Sequence, residues 1–284
     1  MKGIILGAAV VAATSINAQD LPQSSPQGEV EQIIGLTNVD VAYSRPSVKG
    51  RVIFGDLVPY DKLWRTGANR NTTIEFSGPV KFGDAEVGAG KYSVFTVPGK
   101  ERWVVHLNKN TELWGEDGFK QEECVASVKV EATDAEYTET LTFSFDDVLN
   151  DNANLVLRWA KTKVIIPISA DATQQALANI KDAVAKGDMK GGGYGSSARF
   201  CLDRKIMTKE ALEWAEKGAT MDRKFWNLHT LARAQAANGL TTEAVATAEE
   251  SMKLAQEAKN EAYVKMNRDL ITSLGKPQMA PAGK

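Results

Sequence analysis

The stretch LWRTGANRNTT, residues 63–73, holds one tryptophan, two arginines and two asparagines around one glycine. Just upstream, YSRPSVKGRVIFGDLVPYD, residues 43–61, adds Tyr43, Arg45, Lys49 and Arg51. An arginine fork takes a carboxylate or phosphate bidentately. An indole presents a face to cations, and asparagine amides both donate and accept. Gly67 lets a backbone come close to something. Together these types make a binding chemistry for an anionic or polyhydroxylated ligand. The candidate ligand-binding residues are Tyr43, Arg45, Lys49, Arg51, Trp64, Arg65 and Asn69. The opposing reading is a loop packed over one end of a β-domain. In that case Arg65 ties down carbonyls or pairs with Glu75 or Asp61, and Trp64 plugs the core.

Acid–base chemistry has fewer candidates. Asp56, Asp61, Glu75 and His106 are the groups that could reach such a cluster as general acid or base. The chain has two histidines and no GxSxG elbow, so no nucleophilic triad is legible. Two histidines and two cysteines, far apart, make no zinc motif. SFDDVLNDNAN, residues 144–154, has acids and amides but lacks EF-hand spacing and its glycine, and reads as a solvated turn. No cofactor or metal motif is present. His106 reads as a half-exposed strand residue and His229 as a packed helix residue.

The elements that must position these groups follow from periodicity. Between about residues 29 and 169, apolar residues alternate with polar ones. NVDVAYSR puts Val39, Val41 and Tyr43 on one face, and ETLTFSF does the same with Leu141, Phe143 and Phe145. Period two with β-branched and aromatic residues marks half-buried strands. Many short strands without intervening helices predict an antiparallel sandwich or jelly-roll-like β-domain. Arg45 has the parity of Tyr43, so a continued strand would turn it inward, where a charge must be paired or hydrogen-bonded. Pro46 ends ladder donation. The connection from Pro46 to Asn71 is too long for a hairpin, and long connections are usually functional or packed.

From about residue 170 the period becomes helical. Helices are predicted near 172–187, 198–205, 208–219, 223–238, 241–257 and 260–273, with Thr208 and Thr241 as N-caps and Gly218 and Gly239 as stops. KGGGYGSS, residues 190–197, reads as a flexible connection. TKEALEWAEKG at 208 aligns with TTEAVATAEES at 241, an offset of 33 that superposes Ala211 and Ala215 on Ala244 and Ala248. This echo resembles the tetratricopeptide helix–turn–helix repeat. Residues 170–274 therefore form an all-α tetratricopeptide-like domain, and 275–284 a disordered tail.

At the other end, Lys2 precedes the short apolar run GIILGAAVVAAT and then SINAQD. That is the pattern of a signal peptide over 1–18, cleaved near Ala18, with 19–28 as a linker. The expected location is the periplasm, with secretion as the alternative. No run is long enough for a transmembrane segment. Net charge is −2 with the cations dispersed, which excludes a nucleic-acid footprint. Cys124 and Cys201 fall in different domains, so a disulfide between them would have to cross from one to the other.

The β-region bears a further likeness. SRPSVKGR, LVPY, WRTGAN, YSVFTVPG and NLVLRWAKTKVIIPI together resemble the exported bacterial family known as domain of unknown function twenty-nine-eleven, over about residues 25–169. The resemblance implies a secreted β-domain, often with tetratricopeptide-like helices behind it. It transfers no catalytic residue. An acidic residue commonly follows WRTGAN in that family; Arg70 stands there in this chain.

Three functions fit these readings. The first is an exported, non-catalytic binding protein of the cell envelope. Its β-domain would hold an envelope glycan, a peptide or another anionic small molecule, and its helical repeats a protein partner. The second is a metal-independent hydrolase acting on an envelope glycan or peptide. The third is a structural envelope protein with no small-molecule site.

Overall fold

A computed structural model describes residues 22–275. The expected signal peptide, the first residues of the linker and nearly all of the expected tail lie outside the described residues. The chain divides after Gln174 into two compact units, one of strands and one of helices.

Among the described residues the first unit contains nine strands: β1 Gln27–Ile34, β2 Thr37–Ser44, β3 Thr72–Phe76, β4 Val80–Phe82, β5 Ala85–Val87, β6 Gly90–Val97, β7 Arg102–Asn108, β8 Cys124–Leu149 and β9 Asn152–Ser169. All pairings are antiparallel, in the order β1-β2-β3-β6-β7-β8-β9-β4-β5. β8 belongs to two layers. Its first part pairs with β7, and from Ala132 onward it pairs with β9. The layers face each other across aromatic contacts. Tyr43 of β2 meets Phe143 of β8 edge-on at 4.9 Å, and Phe76 of β3 meets Phe82 of β4 at 6.3 Å. The alternation predicts this: Val39, Val41 and Tyr43 are all buried, as are Leu155, Leu157 and Trp159. The stretch 144–154, expected as a solvated turn, is mostly the paired ends of β8 and β9, with only Asn150 and Asp151 in the turn; Asp146 there pairs with Arg158 of β9 at 2.5 Å.

The described residues of the second unit form six helices, the first beginning just before its boundary: α1 Thr173–Lys186, α2 Gly191–Arg204, α3 Thr208–Met221, α4 Phe225–Ala237, α5 Thr241–Glu257 and α6 Glu261–Leu274. From α2 on, each helix packs on the next, and α4 also touches α2 and α6. This is the stacking of helix–turn–helix pairs. The superposed alanines Ala211, Ala215, Ala244 and Ala248 are all buried at the contacts.

Three local expectations are corrected. KGGGYGSS is not a flexible connection: helix α2 starts at Gly191 and runs through it. A helix tolerates these glycines because they form a seam. A Cβ on Gly218 of α3 would lie 2.9 Å from the Gly191 carbonyl oxygen and 3.1 Å from the Gly195 nitrogen. Only glycine permits that backbone approach, and burial of Tyr194, Ala198 and Cys201 on the same helix outweighs the propensity cost of about 1 kcal/mol per glycine. For the same reason Gly218 is not a stop; α3 continues to Met221. Thr208 and Thr241 are the first helical residues, with Met207 and Leu240 before them in the cap positions. Asn260 does cap: its side chain accepts the Tyr263 N–H of α6 at 3.2 Å. Cys124 and Cys201 are both free thiols.

Candidate functional site

The connection between β2 and β3 begins by crossing to the other layer. Pro46 gives its carbonyl to the Leu141 N–H at 2.9 Å, and the Val48 N–H donates to the Glu139 carbonyl at 2.7 Å. The segment then dips into the core. Ile53 and Val58 are buried, and a tight turn between Phe54 and Val58 depends on Gly55, whose φ is +95°. It climbs back at Trp64, which exchanges two 2.8 Å backbone hydrogen bonds with Thr96 and so continues the β3 side of β6 beyond the Thr72–Val94 pair.

Trp64 is the centre of an aromatic cluster. Its ring stacks on Trp159 at 5.8 Å and 16°, and meets Trp103 and Phe54 edge-on. It is only 6% exposed, and its indole N–H donates to the Gly67 carbonyl at 3.2 Å. The ring is therefore built into the core rather than laid out as a surface platform.

Beside it lies a cavity of about 570 Å³. Four cationic residues line it, Lys49, Arg51, Lys62 and Arg65, against one carboxylate, Glu116. Leu57, Val58, Pro59 and Leu63 give it an apolar wall, and Ser24 and Ser25 close one side. The Arg51 guanidinium donates to the carbonyls of Val48 (3.0 Å) and Ser47 (2.6 Å), which neutralises none of its charge. The backbone N–H of Lys49 donates to Glu139, whose carboxyl is held below its ordinary pKa first by a hydrogen bond from the Tyr137 hydroxyl and then by that N–H. Arg65 pairs with Glu116 through Nη1 at 3.2 Å, and Glu116 also accepts the Arg65 backbone N–H at 3.0 Å. Two buried N–H groups of lining side chains, Arg65 Nε and Trp159 Nε1, have no partner among the described residues.

Of the sequence candidates, Lys49, Arg51, Trp64 and Arg65 come together at this cavity. The other three are tied into the protein. The Tyr43 hydroxyl accepts the Phe143 N–H at 3.0 Å. Arg45 donates to the Leu141 carbonyl at 3.2 Å and the Thr142 hydroxyl at 3.1 Å, so its inward parity ends in a bond between layers. Asn69, at φ +56°, donates to the Ser25 carbonyl at 3.1 Å and to Gln23, pinning the segment before β1. Tyr43 also lines a separate recess of about 420 Å³ that includes Arg70 and Lys91.

The acid–base candidates do not line the main cavity. Glu75 pairs loosely with Lys91 at 4.0 Å, and Asp56 and Asp61 are exposed. His106 is buried rather than half-exposed: the segment after β7 folds over that face, bringing Phe119 against it and against Phe95. Its Nδ1 bonds the Ser127 hydroxyl at 2.8 Å, and burial lowers its pKa. His229 is packed among helices, 2.8 Å from Asn267.

Sequence reasoning missed Lys62, Glu116 and Trp159. Lys62 adjoined the marked stretch and shared its charge. Trp159 was legible as an inward residue, but nothing local shows that its N–H is left over. Glu116 comes from a distant loop and gave no signal. Among the described residues no group of three or more acidic, histidine or cysteine side chains could hold a metal ion, and no helix is long and apolar enough to cross a membrane.

No curated protein and no solved structure matches the chain significantly. The sequence profile of a family described as "Protein of unknown function (DUF2911)" matches residues 25–168, which takes in β1 through nearly all of β9 and every residue of the cavity beside Trp64 except Ser24. With more than half of its 284 residues in that match, the chain belongs to this family.

Proposed function

We propose that this is an exported, non-catalytic binding protein of the cell envelope whose β-domain holds an anionic small molecule in the cavity beside Trp64. The observation that carries the reading is the lining: Lys49, Arg51, Lys62 and Arg65 against the single carboxylate of Glu116, in a space of about 570 Å³. That volume suits a small organic ligand, and concave, partly apolar sites with a few placed polar groups are the usual form of such pockets. The anionic class is favoured over a neutral polyhydroxylated one because Trp64 offers no open face: its ring packs against Trp159, Trp103 and Phe54. The non-catalytic reading is supported by the lining, which does not include Asp56, Asp61, Glu75 or His106, and by the engagement of Glu116 with Arg65. Export rests on the N-terminal sequence pattern. For the helices we propose a protein partner, supported by a recess of about 430 Å³ lined by Arg199, Trp226 and Tyr263.

The test is a thermal-shift screen of residues 19–284 against sugar acids, phosphorylated sugars, acidic peptides and their neutral counterparts. Arg51→Glu/Lys62→Glu, which changes two cationic side chains at the cavity lining, runs alongside. Anionic compounds should raise the melting temperature in a concentration-dependent way, and the double variant should lose that response while staying folded. Equal shifts from neutral counterparts, or no shift from any compound, would overturn the proposal.

A further inference from the structure

Arg65 presents only part of its guanidinium to Glu116. Nη1 makes the contacts, at 3.2 Å to Oε1 and 3.5 Å to Oε2. Nε is buried, and among the described residues it has no partner and Nη2 makes no hydrogen bond. In a guanidinium, the Nε–H and one Nη2–H point the same way and form the side-on edge that matches two oxygens of an oxyanion. That edge is the free one here. Its orientation is fixed from behind, because Glu116 grips both the side chain and the backbone N–H of Arg65. A second buried donor sits on a residue that lines the same cavity: the Trp159 N–H has no partner among the described residues, although Trp159 is only 1% exposed. Buried N–H groups are nearly always satisfied, and leaving two unpaired in one lining is costly. Both are donors, so the missing partner is an acceptor. The nearby wall of Leu57, Val58, Pro59 and Leu63 is apolar.

Resting on the binding reading above, we infer that the ligand is an oxyanion on an apolar body, a carboxylate or a phosphate monoester, whose head group is taken side-on by Arg65 Nε and Nη2 and capped by the Trp159 N–H. Arg65 and Trp159 are the specificity-determining residues, and Glu116 is a positioning residue that aims Arg65. Lys49, Arg51 and Lys62 supply the attractive field around that head group. The fork distinguishes this assignment from simple charge attraction: a lysine at position 65 would keep the charge and lose the edge.

The experiment measures binding of four probes to residues 19–284 by isothermal titration: octanoate, phenyl phosphate, inorganic phosphate and the neutral octanamide. Wild type, Arg65→Lys, Trp159→Phe and Glu116→Gln are compared, with circular dichroism as the check on folding. Octanoate or phenyl phosphate should bind wild type and octanamide should not; which of the two binds tells a planar carboxylate from a tetrahedral phosphate. Inorganic phosphate binding as well as phenyl phosphate would remove the apolar body from the assignment. Arg65→Lys should weaken binding by about 10- to 100-fold, the range of a charge-assisted bidentate pair. Trp159→Phe should weaken it by several-fold. Glu116→Gln should weaken it too, because it loosens the hold on Arg65; tighter binding in that variant would mean that Glu116 competes with the ligand instead. Arg65→Lys binding as wild type does, while Arg51→Glu/Lys62→Glu abolishes binding, would overturn the side-on assignment and leave the anion-binding reading standing. No binding of any probe to wild type would overturn both. Should Arg65→Lys fail to fold, the Arg65 Nε–H resonance of wild type decides: a downfield shift on adding the bound probe supports the assignment, and an unmoved resonance overturns it.

Discussion

Two glycine-bearing segments look alike in the sequence and do opposite things in the fold. WRTGAN, in the β2–β3 connection, and KGGGYGSS, at the start of α2, both combine glycine with polar residues and one large aromatic. In the first, the aromatic goes into the core and Arg65 beside it lines a cavity of about 570 Å³. In the second, the aromatic Tyr194 also goes into a core, but Gly191 and Gly195 lie against the backbone of α3 at Gly218. What separates them is the neighbour. A loop that crosses between two β-layers has side chains opposite it and leaves space between them. A helix laid on a helix at glycine–glycine distance leaves none at the point of contact.

The largest test of this contrast is Trp64→Ala. If the connection is part of the β-core, removing the ring should cost about 3–5 kcal/mol, the usual range for a buried tryptophan. Chemical denaturation followed by a β-specific far-ultraviolet signal measures it. A cost near zero would mean the aromatic cluster is decoration, and the comparison would collapse. Gly218→Val comes next. Its Cβ would sit 2.9 Å from a backbone oxygen that cannot move aside, so the helical unit should lose about 1–3 kcal/mol, read from helical ellipticity.

Gly192→Ala sharpens the comparison with a change of opposite sign. Gly192 is in α2, one residue from the seam, yet a Cβ there meets nothing within 4 Å and no positive φ is needed. Alanine should stabilise the helical unit by about 0.5–1 kcal/mol through helix propensity and a less flexible unfolded chain. Destabilisation would show that the seam is wider than its three close glycines. The smallest effect is a pH dependence shared by both units. Burial lowers the pKa of His106 in the β-unit and His229 in the helical unit from the ordinary 6.5. The unfolded chain therefore takes up protons first as the pH falls through that value. Stability is full above it, declines below it, and stops declining once the folded imidazoles also protonate. Melting temperatures between about pH 7.5 and about pH 5 should fall in wild type. They should flatten in part in His106→Gln and in part in His229→Gln.

The strands were legible because each needs only its own alternation and the knowledge that one face is buried. Val39, Val41 and Tyr43 announce β2 without reference to any partner. The helices were legible for the same reason, except where the deciding fact lay on another helix: neither Gly191 nor Gly218 reveals that the other is opposite it. The site divides along the same line. Lys49, Arg51, Trp64 and Arg65 sit on one connection and could be gathered from its composition. Arg45 and Asn69 have the same chemistry and share that connection, but their partners, Leu141, Thr142, Ser25 and Gln23, are fixed only by how the layers close. Glu116 and Trp159 reach the cavity through tertiary structure alone. Local pattern states what a residue can do, and distant contacts decide whether that capacity is already spent.

Trp159 is the one cavity-lining residue that a named strand supplies; Ser24, Ser25, the residues of the β2–β3 connection and Glu116 all come from outside the strands. Because β8 runs through both layers, the two sheets cannot part like a hinged shell. A molecule reaching this cavity therefore enters past the loops that line it rather than between the sheets. Occupancy should slow amide hydrogen exchange in segments 46–68 and 109–120 while leaving the ladder amides of β2, β7 and β9 unchanged.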